Sequence, residues 1–172
     1  VTKGPIGTKG PRVTTNVLLP GRYLVLLPNS EQSGVSRKIE NKEERSRLKK
    51  IVRELNIPDG MGVIIRTAGQ NQRKGYFLRD LKILLDTWEE ITGRVQSQSP
   101  GSCVFEEPDL IERTVRDFLT EDIERIVIDN ASEMERVKEL IGRISKRSIE
   151  KVHRYASSEP IFDRFGICLL YT

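Results

Sequence analysis

Six apolar residues recur at alternating spacings of four and three along one stretch of the chain, and this spacing constrains the fold more than any other feature of the sequence. They are Phe77, Leu81, Leu84, Trp88, Ile91 and Val95. Because residues three and four positions apart lie on the same side of an α-helix, the pattern predicts one long helix over residues 71–98 with a single apolar face. That face must be covered by a core or by a neighbouring element. The Ser, Pro and Gly residues at 97–102 predict the end of the helix and a break between two structural units.

The residues that precede this helix predict an α+β unit. Val, Leu, Thr and Tyr are frequent in two segments that meet at Pro20 and Gly21, which predicts a pair of strands. Asn41 followed by Glu44 resembles a capping box, and the apolar residues after it have helical spacing. The predicted elements are strands over 12–19, 22–27 and 62–65 and a helix over 42–55.

Beyond the break, short apolar runs alternate with helical patterns, which predicts a small parallel α/β layer. The predicted elements are strands over 103–105, 126–128 and 152–155 and helices over 108–119 and 132–144. Pro108 suits the first turn of one helix, and Ser132 suits the cap of the other. Residues 159–167 are too few to complete another layer, so we expect them to pack against a part of the protein outside this sequence. The predicted fold is therefore an α+β unit followed by a small α/β layer, in an incomplete fragment of a multidomain protein.

Positive charge is concentrated in the first third of the chain. Residues 1–53 contain 12 Lys or Arg and 4 Asp or Glu, whereas residues 101–172 contain 11 and 15. Residues 1–30 contain no acidic residue at all. Such a basic segment is typical of a surface that binds a nucleic-acid backbone, although a solvated basic face fits the pattern equally well.

Composition excludes several classes of protein. No apolar run approaches the roughly 20 residues that cross a membrane, and the charged start of the chain does not fit a signal peptide. Cys103 and Cys168 form no CxxC pair and His153 is the single histidine, so a structural zinc site and a Cys-His nucleophile both lack their parts. The chain starts at Val1 rather than Met, and we expect a piece of a longer cytoplasmic protein.

The residues at the end of one predicted strand have chemistry suited to a phosphate. Arg66 offers a fork of donors, Thr67 adds a hydroxyl, and Gly69 lets the backbone approach a ligand closely. The alternative is structural, because an arginine stem often covers the edge of a core and a threonine often caps a turn. The local pattern alone leaves both interpretations open.

Carboxylates after two predicted strands of the α/β layer support a second hypothesis. Asp129 follows one strand, and Glu106, Glu107 and Asp109 follow another. Acids in such places could hold a metal ion that assists phosphodiester hydrolysis. They suit helix starts equally, because Asp and Glu are favoured in a first turn.

Seven segments of the chain, taken in order and with their spacing, resemble the ribonuclease E/G family. They are residues 3–15, 20–29, 34–39, 58–69, 106–110, 126–130 and 160–167. The fourth segment contains Arg66 and Thr67. Residues 168–172 depart from the acidic continuation of the family.

This resemblance implies an endoribonuclease that cuts single-stranded RNA in messenger decay and in ribosomal and transfer RNA processing, often with a preference for 5′-monophosphate ends. Residues 1–15 resemble the trailing edge of an oligonucleotide-binding barrel, residues 16–105 the 5′-sensor domain, and residues 106–172 part of a ribonuclease H-like scaffold. In the family, the catalytic domain with its Mg²⁺ and the contacts of the homotetramer come after that scaffold. We therefore expect no catalytic residue and no metal site in this chain.

Four positions match the sensor pocket of the family. The resemblance assigns Arg66 and Thr67 to the terminal phosphate, the backbone amide at Gly21 to the same phosphate, and Val25 to the terminal base. A 5′ hydroxyl would leave these donors without a ligand.

The resemblance also implies RNA contacts outside the pocket for Lys3, Lys9 and Arg37. Lys38 stands where the family has a second arginine.

A third hypothesis needs no recognition of the RNA end. The chain would be a general RNA-binding or assembly module, in which the basic first third contacts RNA and the apolar face around Trp88 contacts a partner. Dependence of binding on the 5′ phosphate separates the two hypotheses.

Overall fold

The computed structural model describes residues 1–119 and 123–167, which form two compact units, Val1–Glu106 and a second unit that begins at Glu107. The first unit is α+β, as the sequence predicts, although its sheet is mixed and includes a strand at residues 34–35 that is not among the predicted ones. Its elements are β1 (Leu19–Pro20), β2 (Leu24–Leu27), β3 (Gly34–Val35), α1 (Lys42–Arg53), β4 (Gly62–Ile65) and α2 (Lys74–Ser97). The strands are ordered β1-β2-β4-β3 in the sheet, with β3 parallel to β4 and the other pairs antiparallel.

The strand predicted over 12–19 is wrong for most of its length. Only Leu19–Pro20 pairs with β2, while residues 11–18 are exposed and Arg12 makes an isolated bridge with Lys3. Strand preference reflects packing on a half-buried surface more than an intrinsic backbone tendency. Val13 is 69% exposed, so its β-branched side chain has no such surface to favour a strand.

The long amphipathic helix is confirmed and its apolar face covers the core of the first unit. Phe77 is fully buried, and the face remains buried as far as Ile91 before Val95 emerges at 58% exposure. Opposite it lie buried side chains from β2, β4 and α1, namely Leu24, Leu26, Val63, Ile65, Leu48 and Ile51. Trp88 is half-buried against the same cluster, so the face is chiefly core.

Helix α1 begins with half of the predicted capping box. The Asn41 side chain accepts a hydrogen bond from the Glu44 N–H at 2.9 Å, which satisfies one of the donors left unpaired in a first turn. The Glu44 carboxylate does not return the bond to Asn41. It instead accepts from Arg47 and from the Asn71 N–H, which lies just ahead of α2.

The second unit holds a two-stranded parallel sheet with helices packed on it. Its elements are α3 (Leu110–Phe118), β5 (Ile126–Ile128), α4 (Ala131–Ile144), β6 (Val152–Arg154) and α5 (Ile161–Arg164). Ile126 pairs with Val152, and Val115, Val137 and Ile141 form the core with Val152. The parallel α/β arrangement agrees with the sequence prediction, although the described residues of this unit form one strand fewer.

Residues 103–105 were predicted as that further strand, and the prediction is wrong. Cys103 and Phe105 are exposed, while Val104 packs against the core of the first unit and its carbonyl accepts from Arg94. The apolar composition of this segment therefore corresponds to one side chain, Val104, that packs against the core. The tail at 159–167 forms the short helix α5 with Phe162 and Phe165 exposed, and residues 168–172 lie outside the described part of the chain.

The start of α3 lies two residues after the predicted one, and the start of α4 lies one residue before it. Asp109 caps α3 by accepting from the Glu112 N–H at 3.0 Å, so Pro108 precedes the cap. Asn130 caps α4, and Ser132 lies inside the first turn. None of the helices formed by the described residues combines the length and hydropathy that crossing a membrane requires.

The cap of α4 gives a first testable prediction. Asn130 Oδ1 accepts from the N–H groups of Ser132 and Glu133, whereas the side chain of Ser132 only donates its hydroxyl to Asn130 Oδ1. Asn130→Ala should destabilise α4 by about 1 kcal/mol, and Ser132→Ala should cost less than about half of that. Amide hydrogen exchange across α4 measures both changes, and equal effects would contradict this assignment of the cap.

Candidate phosphate site

Arg66 lies where the β2–β4 pairing ends. Leu24 is opposite Ile65, and the next backbone bond joins the Arg66 N–H to the Tyr23 carbonyl at 2.7 Å. Residues 67–69 then turn in a single 3₁₀ helix, closed by a bond from the Gly69 N–H to the Arg66 carbonyl at 2.9 Å. The sheet and the turn together fix the backbone from which the Arg66 side chain extends.

The Arg66 guanidinium reaches the loop between β1 and β2. Its Nη1 donates to the Gly21 carbonyl oxygen, which joins two residues that lie far apart in the sequence. Gly21 itself is buried, and its N–H donates to the Leu24 carbonyl at 2.8 Å. A guanidinium carries five N–H donors in a planar fork, so it can bridge a carbonyl and an anion at the same time.

Thr67 is exposed beside the turn that carries Arg37. Its Oγ1 lies 3.4 Å from the Ser36 hydroxyl, and the Ser36 N–H donates to the Ile65 carbonyl at 2.8 Å. Arg45 holds the same turn by donating to the Ser36 carbonyl at 2.6 Å. Ser36 is therefore held by Ile65 of β4 and by Arg45 of α1, and the exposed Arg37 is the next residue.

Val25 occupies the face of the sheet that the core does not use. It lies directly opposite Ile64, and both are half-buried, whereas Leu24 and Leu26 on the other face are fully buried. Ile64 precedes Arg66 by two residues, which corresponds to about 7 Å along a strand. An apolar group bound near Arg66 could contact Val25 at that distance.

Lys3 and Lys9 lie on an exposed hairpin of their own. Lys3 forms a bridge with Arg12, and Lys9 forms one with Ile6. The structure thus joins Gly21 to Arg66, places Thr67 beside the turn with Arg37, and puts both lysines on a separate exposed segment.

Asp80 belongs to this site and was missed by the sequence analysis. It is only 8% exposed, and it is the one buried charged residue among those whose burial the structure describes. Its carboxylate accepts from the consecutive N–H groups of Arg22, Tyr23 and Leu24 at 3.1, 2.8 and 2.8 Å. Burial raises the pKa of this carboxyl, and the three N–H donors and the charge of Arg66 oppose that rise.

The sequence does contain a signal for Asp80. It lies three residues after Phe77 and four before Leu84, so helical spacing places a carboxylate on the apolar face. A charge in that position must be matched by donors inside the protein. The donors come from the loop after Gly21, a feature that helical periodicity does not reveal.

A second carboxylate holds the chain beyond the Thr67 turn. Glu44 Oε1 accepts from the Asn71 N–H at 2.8 Å, and Asn71 has the left-handed φ of 61° that non-glycine residues seldom adopt. Arg47 donates twice to the same carboxylate, both times at 2.7 Å. These bonds from Arg47 are the main reason that the pKa of Glu44 lies below its usual value, and the Asn71 N–H lowers it further.

Glu44→Gln should therefore lower stability at neutral pH and much less in acid. A carboxyl whose pKa is depressed by folding stabilises the protein above its unfolded pKa, and this stabilisation is lost as pH falls through the folded value. We expect a loss of about 1 kcal/mol at pH 7 that shrinks towards zero below about pH 4. Urea unfolding followed by the fluorescence of Trp88, the single tryptophan, measures it at both pH values.

The neighbouring exposed acid provides the matched control for this prediction. Glu43→Gln removes the same charge from the first turn of α1. A pH-independent loss in Glu44→Gln, or an equal loss in Glu43→Gln, would contradict the stabilising role of the Glu44 charge with its partners Arg47 and Asn71.

Of the acids considered for metal-assisted hydrolysis, Asp109 has clear structural partners. Asp109 caps α3 and its Oδ2 lies 2.6 Å from Arg136, which also pairs with Glu112 at 2.8 Å. Asp129 is exposed ahead of the start of α4. Among the described residues, no three or more His, Cys, Asp and Glu side chains come together in a way that could hold a metal ion.

Comparison with known proteins agrees with the resemblance seen in the sequence. A model of the Ribonuclease E/G family matches residues 18–169. Ribonuclease E of Haemophilus influenzae is 40% identical over 168 residues, which are 97% of this chain and 18% of that protein. Ribonuclease G of Escherichia coli K12 is 35% identical over 167 residues, covering 97% of this chain and 34% of that protein.

A cyanobacterial relative gives the same result. Ribonuclease E of Nostoc is 34% identical over 170 residues, which are 97% of this chain and 25% of that protein. The chain thus spans a fifth to a third of the length of these relatives. Since the family model and the relatives both align along nearly all of it, the chain belongs to the ribonuclease E/G family.

Proposed function

We propose that this segment recognises the 5′-monophosphate end of single-stranded RNA, as part of an endoribonuclease that acts in messenger decay and in ribosomal and transfer RNA processing. The observation that carries the proposal is the bond between the Arg66 guanidinium and the Gly21 carbonyl at the end of the β2–β4 pairing. This bond holds the Arg66 guanidinium at the point where β2 and β4 end, next to the exposed residue Thr67.

The chemistry of these side chains suits a terminal phosphate. Arg66 provides charge-assisted donors and Thr67 provides a hydroxyl donor, and each such bond to an anion contributes about 1.5–3 kcal/mol. The role of Gly21 differs from the one that the resemblance implies, because its N–H already donates to Leu24. We assign Gly21 the role of orienting Arg66 through its carbonyl.

The rest of the RNA would follow the basic surface of the first unit. Val25 would contact the terminal base from the half-buried face of the sheet, and the exposed Arg37 would meet a neighbouring phosphate. Lys3 and Lys9 would contribute contacts to the backbone that are independent of the end group. These contacts should weaken with salt, because phosphate binding releases counterions.

Three versions of one short RNA test the proposal, carrying a 5′ hydroxyl, a 5′ monophosphate or a 5′ triphosphate. Fluorescence anisotropy should show that the monophosphate binds at least about tenfold more tightly than the hydroxyl, as expected for one or two charge-assisted bonds. The triphosphate should bind less tightly than the monophosphate, because the proposed site offers donors for one phosphate group. Equal affinity for all three ends would favour a general RNA-binding or assembly module instead.

Cleavage and assembly are assigned to other parts of the longer family proteins. We propose that the RNA phosphodiester is cut in a separate Mg²⁺-dependent domain and that tetramer contacts also lie there. The pairing of Asp109 with Arg136 and its capping of α3 support this division, because they give that acid a structural role. Incubating the chain with single-stranded RNA and Mg²⁺ should leave the RNA intact, and cleavage that depends on Asp129 or Asp109 would contradict the assignment.

A further inference from the structure

The loop between β1 and β2 is held by a carboxylate from α2. Asp80 accepts hydrogen bonds from three consecutive backbone N–H groups, those of Arg22, Tyr23 and Leu24. Successive N–H groups that converge on one anion fix the backbone of the segment that carries them. The path of the loop after Gly21 therefore depends on a side chain about 60 residues further along the sequence.

Gly21 fits closely against the same carboxylate. A Cβ atom at position 21 would lie 2.7 Å from Oδ2 and 2.8 Å from Oδ1 of Asp80, which is closer than real Cβ contacts. Glycine is thus required at position 21 because the carboxylate occupies the space that a side chain would need.

Arg66 approaches the Gly21 peptide as well. Its Nη1 donates to the Gly21 carbonyl, and its positive charge interacts favourably with Asp80. The phosphate-binding arginine and the buried carboxylate thus both act on one short loop. Moving the loop would move the acceptor that orients the guanidinium.

We propose that Asp80 is a positioning residue for 5′-end recognition: it holds the loop of Gly21 to Leu24, and through the Gly21 carbonyl it orients the Arg66 guanidinium towards the terminal phosphate. This inference rests on the proposed function. Asp80 does not contact the RNA itself. A carboxylate is suited to the role because two oxygens accept from three N–H groups, whereas an asparagine would turn an NH₂ group towards one set of these donors.

The test compares the affinity ratio for 5′-monophosphate over 5′-hydroxyl RNA in the whole chain and in two variants. Asp80→Asn should reduce the ratio at least about fivefold, whereas Asp86→Asn, at an exposed acid of the same helix, should leave it unchanged. The ratio does not depend on how much of the protein is folded, because both RNAs report on the same folded fraction. A purely structural role for Asp80 would therefore leave it unchanged.

The outcomes separate the two proposals. An end preference in the unaltered chain that persists in Asp80→Asn would overturn the positioning role alone. No end preference in the unaltered chain would overturn the proposed function and this inference with it.

If Asp80→Asn does not fold, an NMR measurement on the unaltered chain tests the positioning role of Asp80. With ¹³C-labelled aspartate, the Asp80 carboxyl resonance should shift when 5′-monophosphate RNA binds and should stay in place with saturating 5′-hydroxyl RNA. The Asp86 resonance serves as the internal reference. An unmoved Asp80 signal, alongside a shift of the Arg66 side-chain signals, would overturn the inference.

Discussion

Arg66→Gln should abolish the proposed preference of the chain for 5′-monophosphate RNA. Glutamine keeps a polar side chain of moderate length but loses the charge and the planar fork that suit a phosphate. We expect the affinity for monophosphorylated RNA to fall about 10- to 100-fold, which corresponds to about 1.5–3 kcal/mol. The affinity for 5′-hydroxyl RNA should change much less. Anisotropy titrations with the two RNAs measure both quantities.

Arg53→Gln is the matched control for this experiment. Arg53 is an exposed arginine in the last turn of α1, so its replacement removes the same charge from the same unit. It should weaken the binding of both RNAs to a similar and small extent through the general electrostatic attraction. An end preference that survives in Arg66→Gln, or that disappears in Arg53→Gln, would contradict the role of Arg66.

Asp80→Ala should produce the largest loss of stability among the substitutions considered. It removes the acceptor of three backbone N–H groups at a buried position, and each buried donor left without a partner costs about 1–3 kcal/mol. We expect the free energy of unfolding of the first unit to fall by about 3 kcal/mol or more. Urea denaturation followed by Trp88 fluorescence reports on this unit, because Trp88 packs against its core.

The control is Asp86→Ala on the exposed side of the same helix. An exposed substitution of this kind should change stability by no more than about 0.5 kcal/mol. Equal losses in Asp80→Ala and Asp86→Ala would mean that water replaces the carboxylate at the three N–H groups. In that case the loop after Gly21 would not depend on Asp80.

The helices were predictable from the sequence because their signals are local. Phe77 to Ile91 follow the helical spacing that one apolar face requires, and α2 buries that face. Asn41 predicts the start of α1 because its side chain can accept a hydrogen bond from the first turn, and in the structure it accepts from the Glu44 N–H. Spacing along the chain carries this information directly.

Elements that depend on distant partners were less predictable. Residues 12–18 have the composition of a strand, yet only Leu19–Pro20 finds a pairing strand. Asn130 rather than Ser132 caps α4, since both residue types suit a cap and only the geometry distinguishes them. Composition indicates which residues favour a strand or a helix cap. Whether they form one depends on the partners that the fold places beside them.

The candidate site also contains both residues that local sequence indicates and a residue that depends on distant partners. The sequence indicates Arg66 and Thr67 as candidates because their side chains offer donors suited to a phosphate at adjacent positions. Asp80 was not among these candidates, because its partners lie in a loop nearly 60 residues away. The resemblance implies a ligand contact for the N–H of Gly21, and in the structure this N–H donates to the Leu24 carbonyl within the loop.

The most direct test of 5′-end recognition is an NMR titration of the whole chain with one RNA sequence carrying either a 5′ monophosphate or a 5′ hydroxyl. We expect the phosphorylated RNA to shift the resonances of Gly21, Arg66 and Thr67. The hydroxyl RNA should leave these three nearly unchanged while still perturbing Lys3, Lys9 or Arg37. Identical shifts with both RNAs, or shifts confined to Lys3, Lys9 and Arg37, would contradict recognition of the 5′ end at Arg66.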